Sequence, residues 1–272
     1  MTTSQAILLG IIQGLTELLP ISSSAHLVIA QSFMPNFHQP GVLFDAVLHM
    51  GTLLSVLYFF RKDIIAMILS LLPAAAGAPH AAGQRKINRK LILLLLISTI
   101  ITAGVGLSFK TEIETLYSSV KVALLMLFVT GLILFLSDKI KYASRKEGSM
   151  SILDACLIGF VQSLALVPGI SRSGSTIVCG IFLGLTRETA ARYSFLLSIP
   201  TILGAVILQS HHFSAITKDE ILPYTLGFIA AAVTGFLALR FLYFMIKRAQ
   251  LRVFAYYCWF LSGNILLFLW YN

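Results

Sequence analysis

Six stretches of about 20 mainly apolar residues, at 42–60, 91–109, 119–137, 190–209, 223–246 and 253–271, set the tightest limit on what this chain can fold into. A helix needs that length to cross the hydrocarbon layer of a bilayer, and inside that layer only helices or closed barrels can satisfy their backbone hydrogen bonds. With 57% hydrophobic and 11% charged residues the chain lacks the polar surface of a soluble domain. The expected fold is an all-α polytopic membrane protein with six full spans. Four shorter apolar pieces, at 4–19, 22–35, 151–168 and 172–186, carry polar residues and Pro or Gly interruptions. They read as two pairs of re-entrant or broken helices. The N-terminus lacks a basic leader and Gln13 and Glu17 interrupt its apolar run, so no cleavable signal peptide is expected.

Basic residues orient the spans, because Lys and Arg stay on the cytoplasmic side. Thirteen of the 20 lie between Arg61 and Lys90, between Lys139 and Lys146, or at Lys247, Arg248 and Arg252. These three loops are assigned to the cytoplasm, and 110–119 and 211–220 to the opposite face. That asymmetry accounts for the net charge of +9, and nucleic acid is excluded as a partner because no soluble basic domain gathers the charge. Cys156, Cys179 and Cys258 are scattered without metal or disulfide spacing and read as buried small hydrophobes. The Pro- and Gly-rich stretch 73–86 reads as a flexible connector.

The chain also repeats itself. Set without a gap, "GIIQGLTELLPISSSAH" from Gly10 aligns with "GFVQSLALVPGISRSGS" from Gly159, placing Gln13 on Gln162, Ser22 on Ser171 and Ser24 on Ser173. The same offset carries Leu48 onto Leu197 and Thr52 onto Thr201. The whole of 1–272 therefore reads as one membrane domain of two repeats, approximately 1–110 and 150–272, joined by 111–149. The loop charges invert one repeat relative to the other, an arrangement that places a binding site near the midplane where the broken helices meet.

Ser22 and Ser171 each follow a break and precede an apolar run, which makes both candidate N-caps. Two helix N-termini facing one site offer unpaired N–H groups and favour an anion, phosphate in particular. Arg172 adds a planar cation suited to phosphate oxygens. A helix starting at Ser22 would bring the hydroxyls of Ser22 and Ser23 within reach of His26, a candidate nucleophile and base. Glu17 could bind a divalent cation, orient His26 or act as the base itself. Asp45 with His49, Asp154 and Arg192 are further polar groups that could support the site, whereas Tyr256, Tyr257, Trp259 and Trp270 fit an interfacial belt. A lipid transporter or flippase is the alternative, since inverted repeats and a midplane anion site suit it equally. The membrane lipid phosphatases that use a histidine nucleophile are excluded by the absence of their motifs.

Together, "QGLTELLPISSSAH" and "PGISRSGSTI" resemble the undecaprenyl-diphosphate phosphatase, or bacitracin-resistance, family over essentially the whole chain. Gln13 takes the amide variant of that family's first acidic position, and Ala25 stands where Gly is frequent. The resemblance implies removal of the terminal phosphate of undecaprenyl diphosphate, recycling the lipid carrier of peptidoglycan synthesis. It implies Ser23 as nucleophile, His26 as proton-transfer group, Arg172 as phosphate clamp and Glu17 as metal-linked carboxylate. Gln13, Ser22, Ser24, Ser171, Ser173, Gly174 and Thr176 become the expected substrate-binding set. A divalent cation, Mg2+ or Ca2+, and competition by bacitracin for the substrate are implied too. The expected location is the bacterial cytoplasmic (inner) membrane, with the site open to the periplasmic side. Small-residue patches such as 227–235 leave a homodimer open.

Overall fold

A computed structural model describes residues 1–34, 42–73, 79–140, 143–209, 217–248 and 250–271. Among these, twelve α-helices follow in order: α1 (Thr3–Leu18), α2 (Ser23–Ser32), α3 (Val42–Phe59), α4 (Arg61–Leu71), α5 (Pro79–Ser108), α6 (Lys110–Leu116), α7 (Val120–Ser137), α8 (Ile152–Leu164), α9 (Arg172–Phe182), α10 (Arg187–Gln209), α11 (Lys218–Lys247) and α12 (Arg252–Tyr271). A single 3-10 turn, Glu147–Ser149, precedes α8. Helices α5, α7, α10, α11 and α12 are long and apolar enough to cross a membrane, so the protein is a multi-pass membrane protein. Their outward faces carry large apolar side chains, among them Ile100, Leu125, Ile207, Val233 and Phe260, as lipid contact requires.

The span expected at 42–60 is helix α3, and just beyond it the chain bends by 75° into α4, so that this pair is the sixth candidate span beside the five long helices. The bend falls where Arg61, Lys62 and Asp63 end the apolar run. From there α4 packs back on α5: Asn88 donates to the Ala66 carbonyl at 3.2 Å, and Arg85 and Arg89 cap the last carbonyls of α4 at Leu69, Ser70 and Leu72. The connector expected at 73–86 is half helix, since α5 already begins at Pro79. Proline suits the first position of a helix, where no N–H is needed. Residues 74–78 of that stretch, and 211–216 of the loop at 211–220, lie outside the described residues.

The four short pieces are helices α1, α2, α8 and α9, broken at 19–22 and 165–171. Moved along the chain by the offset from Ser22 to Ser171, α1, α2 and α3 fall on α8, α9 and α10. In the bundle α1 packs on α11 and α8 on α5, while α3 packs on α10 and α7 on α12. The small residues at 227–235 serve this packing within the chain. A Cβ at Gly14 would lie 1.9 Å from Thr234 Oγ1 and 2.6 Å from the Ala231 carbonyl oxygen, so the α1 and α11 backbones touch there. Gly14→Ala is expected to destabilise the fold by about 3 kcal/mol, read as a lower melting temperature in detergent. Gly104→Ala is the control, since a Cβ there meets nothing within 4 Å. Equal melting temperatures for the two variants would contradict this packing.

Candidate active site

The two breaks clasp each other. Ser22 and Ser171 are the N-caps of α2 and α9, their hydroxyls accepting from the N–H groups of Ala25 at 3.4 Å and Gly174 at 3.1 Å. Both expected caps are present because capping is decided within one turn of chain. Ser173 Oγ donates to the Leu19 carbonyl of the first break at 3.1 Å, and the Gly169 N–H of the second donates to Ser24 Oγ at 3.2 Å. Gly169, at φ 101°, holds a left-handed turn, and a Cβ there would lie 2.2 Å from the Ala123 carbonyl oxygen. Thr130 of α7 ties this turn down, donating to the Gly169 carbonyl and accepting from the Ser171 N–H. Ser22 has φ 66°, the one positive φ at a non-glycine among the described residues. Such a conformation persists only where its surroundings hold it.

Glu17, buried near the end of α1, is the hub. One carboxylate oxygen accepts from Arg172 Nη2 at 2.7 Å across the two breaks. The other accepts from Ser23 Oγ and from Gln13 Nε2 at 3.1 Å, and His49 Nε2 stands 3.5 Å away. A buried carboxylate is tolerated only when paired and hydrogen-bonded in this way. Two buried polar atoms in the cluster, Arg172 Nη1 and Gln13 Oε1, have no hydrogen-bond partner among the described residues.

Sequence distance conceals part of this arrangement. The Ser–His dyad expected at Ser22, Ser23 and His26 does not form. His26 Nδ1 lies 2.7 Å from the Ser22 carbonyl, an acceptor, so it donates there, and Nε2 accepts from the Tyr257 hydroxyl at 2.8 Å. Both ring nitrogens are engaged, and the partner of Ser23 is Glu17. Tyr257 of α12, expected only as part of an interfacial belt, thus also reaches the site through His26, and nothing local to 253–271 announces that contact. His49 was visible in the sequence as half of an i, i+4 pair with Asp45, and the structure brings it to Glu17.

The other expected residues divide. Ser22 Oγ and Ser24 Oγ are 3.1 Å apart, and Ser171 Oγ and Ser173 Oγ 3.3 Å apart, all at the clasped breaks, with Gly174 in the first turn of α9. Thr176 lies one turn deeper, bonded to the Arg172 carbonyl and to Ser194. Gln162, the repeat partner of Gln13, instead joins Thr102 and Thr201. Asp154 pairs with Arg145 at 2.6 Å and caps α8, while Arg192 bridges Asp63 and Glu147. Those ion pairs tie together segments at the basic-loop end and do not join the Glu17 cluster.

The chain is similar along nearly its whole length to known proteins. The family described as "Bacitracin resistance protein BacA" matches residues 6–264. An undecaprenyl-diphosphatase of Syntrophotalea carbinolica is 43% identical over 263 residues, covering 97% of each chain. One from Methanobrevibacter smithii is 40% identical over 260 residues, covering 94% of this chain and 93% of its own. A third, from Carboxydothermus hydrogenoformans, is 38% identical over 270 residues, covering 98% and 97%. A match of this extent, over a chain whose two serine-bearing breaks meet at Glu17 and Arg172, shows that the protein belongs to the BacA family.

Proposed function

We propose that the protein is an undecaprenyl-diphosphate phosphatase, hydrolysing the lipid diphosphate to the monophosphate and inorganic phosphate. The observation that carries this reading is Arg172 Nη1, buried and without a partner among the described residues, on a guanidinium bonded to the same carboxylate that takes the Ser23 hydroxyl. Arg172 holds Glu17 with one nitrogen and offers the other to a phosphate oxygen. The N–H groups at the starts of α2 and α9, free of intrahelical partners, add donors from two sides.

In this mechanism Ser23 Oγ attacks the terminal phosphorus as its proton passes to Glu17. The bond from that phosphorus to the bridging oxygen breaks, and undecaprenyl monophosphate leaves. Water then attacks the phosphoserine, the bond from phosphorus to the Ser23 oxygen breaks, Glu17 returns the proton to that oxygen, and inorganic phosphate leaves carrying both protons of the water. Arg172 and the helix N-termini hold the equatorial oxygens throughout, supplying the positioning and charge that phosphoryl transfer needs. Acid quenching of protein turning over substrate labelled in its terminal phosphate is expected to capture label on Ser23. Label on no residue, with turnover intact, would replace this route by direct attack of water.

His26 acts here through position, fixing the first turn of α2 between the Ser22 carbonyl and Tyr257. Tyr257→Phe removes one hydrogen bond, and kcat/KM is expected to fall about fivefold, the equivalent of roughly 1 kcal/mol. Unchanged kcat/KM would detach Tyr257 from the site.

A divalent cation fits the site only in company with the substrate. Among the described residues no three His, Cys, Asp or Glu side chains gather as a metal-binding group. Glu17 and the unpartnered Gln13 Oε1 are the protein oxygens that would hold Mg2+ or Ca2+, phosphate oxygens and water completing the shell. Bound there, the ion would neutralise charge on the phosphoryl oxygens. An apolar groove of about 230 Å3 between α3 and α11, lined by Val47, Ile221, Tyr224, Thr225 and Phe228, lies on the helix that carries His49 and supports placement of the isoprenoid tail.

The repeats are inverted in the bacterial inner membrane on this reading, with the site opening away from the basic loops to the periplasmic side. There bacitracin would compete for the same lipid diphosphate. A cysteine at Ser118, in a background without Cys156, Cys179 and Cys258, is expected to react with an impermeant thiol reagent in intact cells. Protection at Ser118 with labelling at Lys146→Cys would reverse the orientation.

A further inference from the structure

A second ligand-binding feature lies at the basic-loop end of the bundle, built from residues that take no part in the Glu17 cluster. Arg240, Tyr243, Phe244 and Lys247 follow one another on α11 at i, i+3, i+4 and i+7, so one helical face presents two aromatic rings framed by two cations. Phe59, at the end of α3, closes the opposite side with its ring 5.2 Å from that of Tyr243. These five residues line a groove of about 350 Å3. One further cation flanks it: Arg248 stands over the Phe244 ring at 4.1 Å.

The cations of the groove lack protein counter-charges. Arg240 and Lys247 are exposed, and among the described residues neither makes a hydrogen bond or an ion pair. Three carboxylates, Asp63, Glu188 and Glu147, reach Tyr243 with their charge; Asp63 and Glu147 are already taken by Arg192, and Glu188 makes no ion pair with either groove cation among the described residues. Arg240 precedes the last residue of α11 by seven positions, roughly 10 Å along the helix axis. A guanidinium at that depth on a lipid-facing surface is costly unless something anionic meets it. Basic pockets between membrane helices meet that need with lipid headgroups.

We propose that this groove binds the headgroup of an anionic phospholipid in the adjacent leaflet. Arg240 and Lys247 hold the phosphodiester, and the rings of Phe59, Tyr243 and Phe244 carry the glycerol and the first methylenes of the acyl chains. A choline headgroup is disfavoured, because its own cation would meet three others, Arg240, Lys247 and Arg248. The leaflet is the cytoplasmic one if the bundle is oriented as above. The binding itself depends on neither that orientation nor the phosphatase chemistry.

The test is thermal denaturation of delipidated protein in a neutral detergent, titrated with phosphatidylglycerol, phosphatidylcholine or inorganic phosphate. Phosphatidylglycerol is expected to raise the melting temperature of the wild type, and the other two to leave it unchanged. Arg240→Gln/Lys247→Gln is expected to need about 30-fold more phosphatidylglycerol for the same shift. Arg240→Lys/Lys247→Arg, which keeps both charges, should respond within severalfold of the wild type, as should Lys139→Gln/Lys146→Gln at another basic loop. An equal response to phosphatidylcholine would overturn the proposal, as would an equal response to inorganic phosphate, which would mark a free-anion site. An equal loss in the Lys139/Lys146 variant would overturn it too, by showing that total charge and not this groove governs the effect. Should the double Gln variant melt below the working range, Arg240→Gln alone is expected to lose about fivefold, and no loss there overturns the assignment.

Discussion

Arg172→Ala is expected to lower kcat/KM for undecaprenyl diphosphate by about 1,000-fold, the loss that follows when a preorganised donor is taken from a phosphoryl or oxyanion site. Two consequences combine in this variant. The phosphate loses the donor now held unpartnered at Nη1, and Glu17 loses the cation bonded to it at 2.7 Å. The second effect also destabilises the fold, because breaking a buried pair leaves one uncompensated charge, at a cost of about 3–5 kcal/mol. Arg172→Ala/Glu17→Gln separates them. Removing both charges should recover melting temperature while activity stays absent. Arg172→Lys should recover little activity, since a single ammonium cannot address a carboxylate and a phosphate in the forked geometry of guanidinium. Activity of Arg172→Ala within tenfold of wild type would remove Arg172 from the phosphate site.

Glu17→Gln is the second large effect. The amide keeps the shape of the side chain and can still accept from Ser23 Oγ, but it cannot take the proton. A fall in kcat of about 100- to 10,000-fold is expected, with KM changing far less. Steady-state kinetics on the purified variant at equal protein fold, checked by melting temperature, reads this split. A variant that loses affinity but retains kcat would make Glu17 a binding residue and leave another group to accept the Ser23 proton.

What the sequence discloses about this site follows how local each determinant is. The caps at Ser22 and Ser171 are legible because a cap is settled by its own residue and the next three. The breaks are legible because Pro20 and the Pro168–Gly169 pair stand at them. The internal repeat points to a meeting of the two breaks, and the structure places Ser173 on Leu19 and Gly169 on Ser24. What fails is anything decided by side-chain direction or by a distant helix. Spacing alone allowed Ser22 and Ser23 to reach His26, yet the positive φ of Ser22 turns its carbonyl to the imidazole, and Tyr257, 231 positions away, takes the other nitrogen. Hydropathy likewise shows that 42–60 is apolar but not that the chain turns by 75° at Phe60, since the turn depends on α4 docking on α5.

The measurement that bears most directly on this account is phosphate release from undecaprenyl diphosphate by the purified protein, with Mg2+ and after chelation, for the wild type beside Ser23→Ala. Metal-dependent release of one inorganic phosphate per lipid is expected, abolished in a folded Ser23→Ala variant. A folded wild type that binds the lipid diphosphate but releases no phosphate under any metal condition would contradict it, and would leave the clasped helix N-termini as the anion site of a lipid transporter.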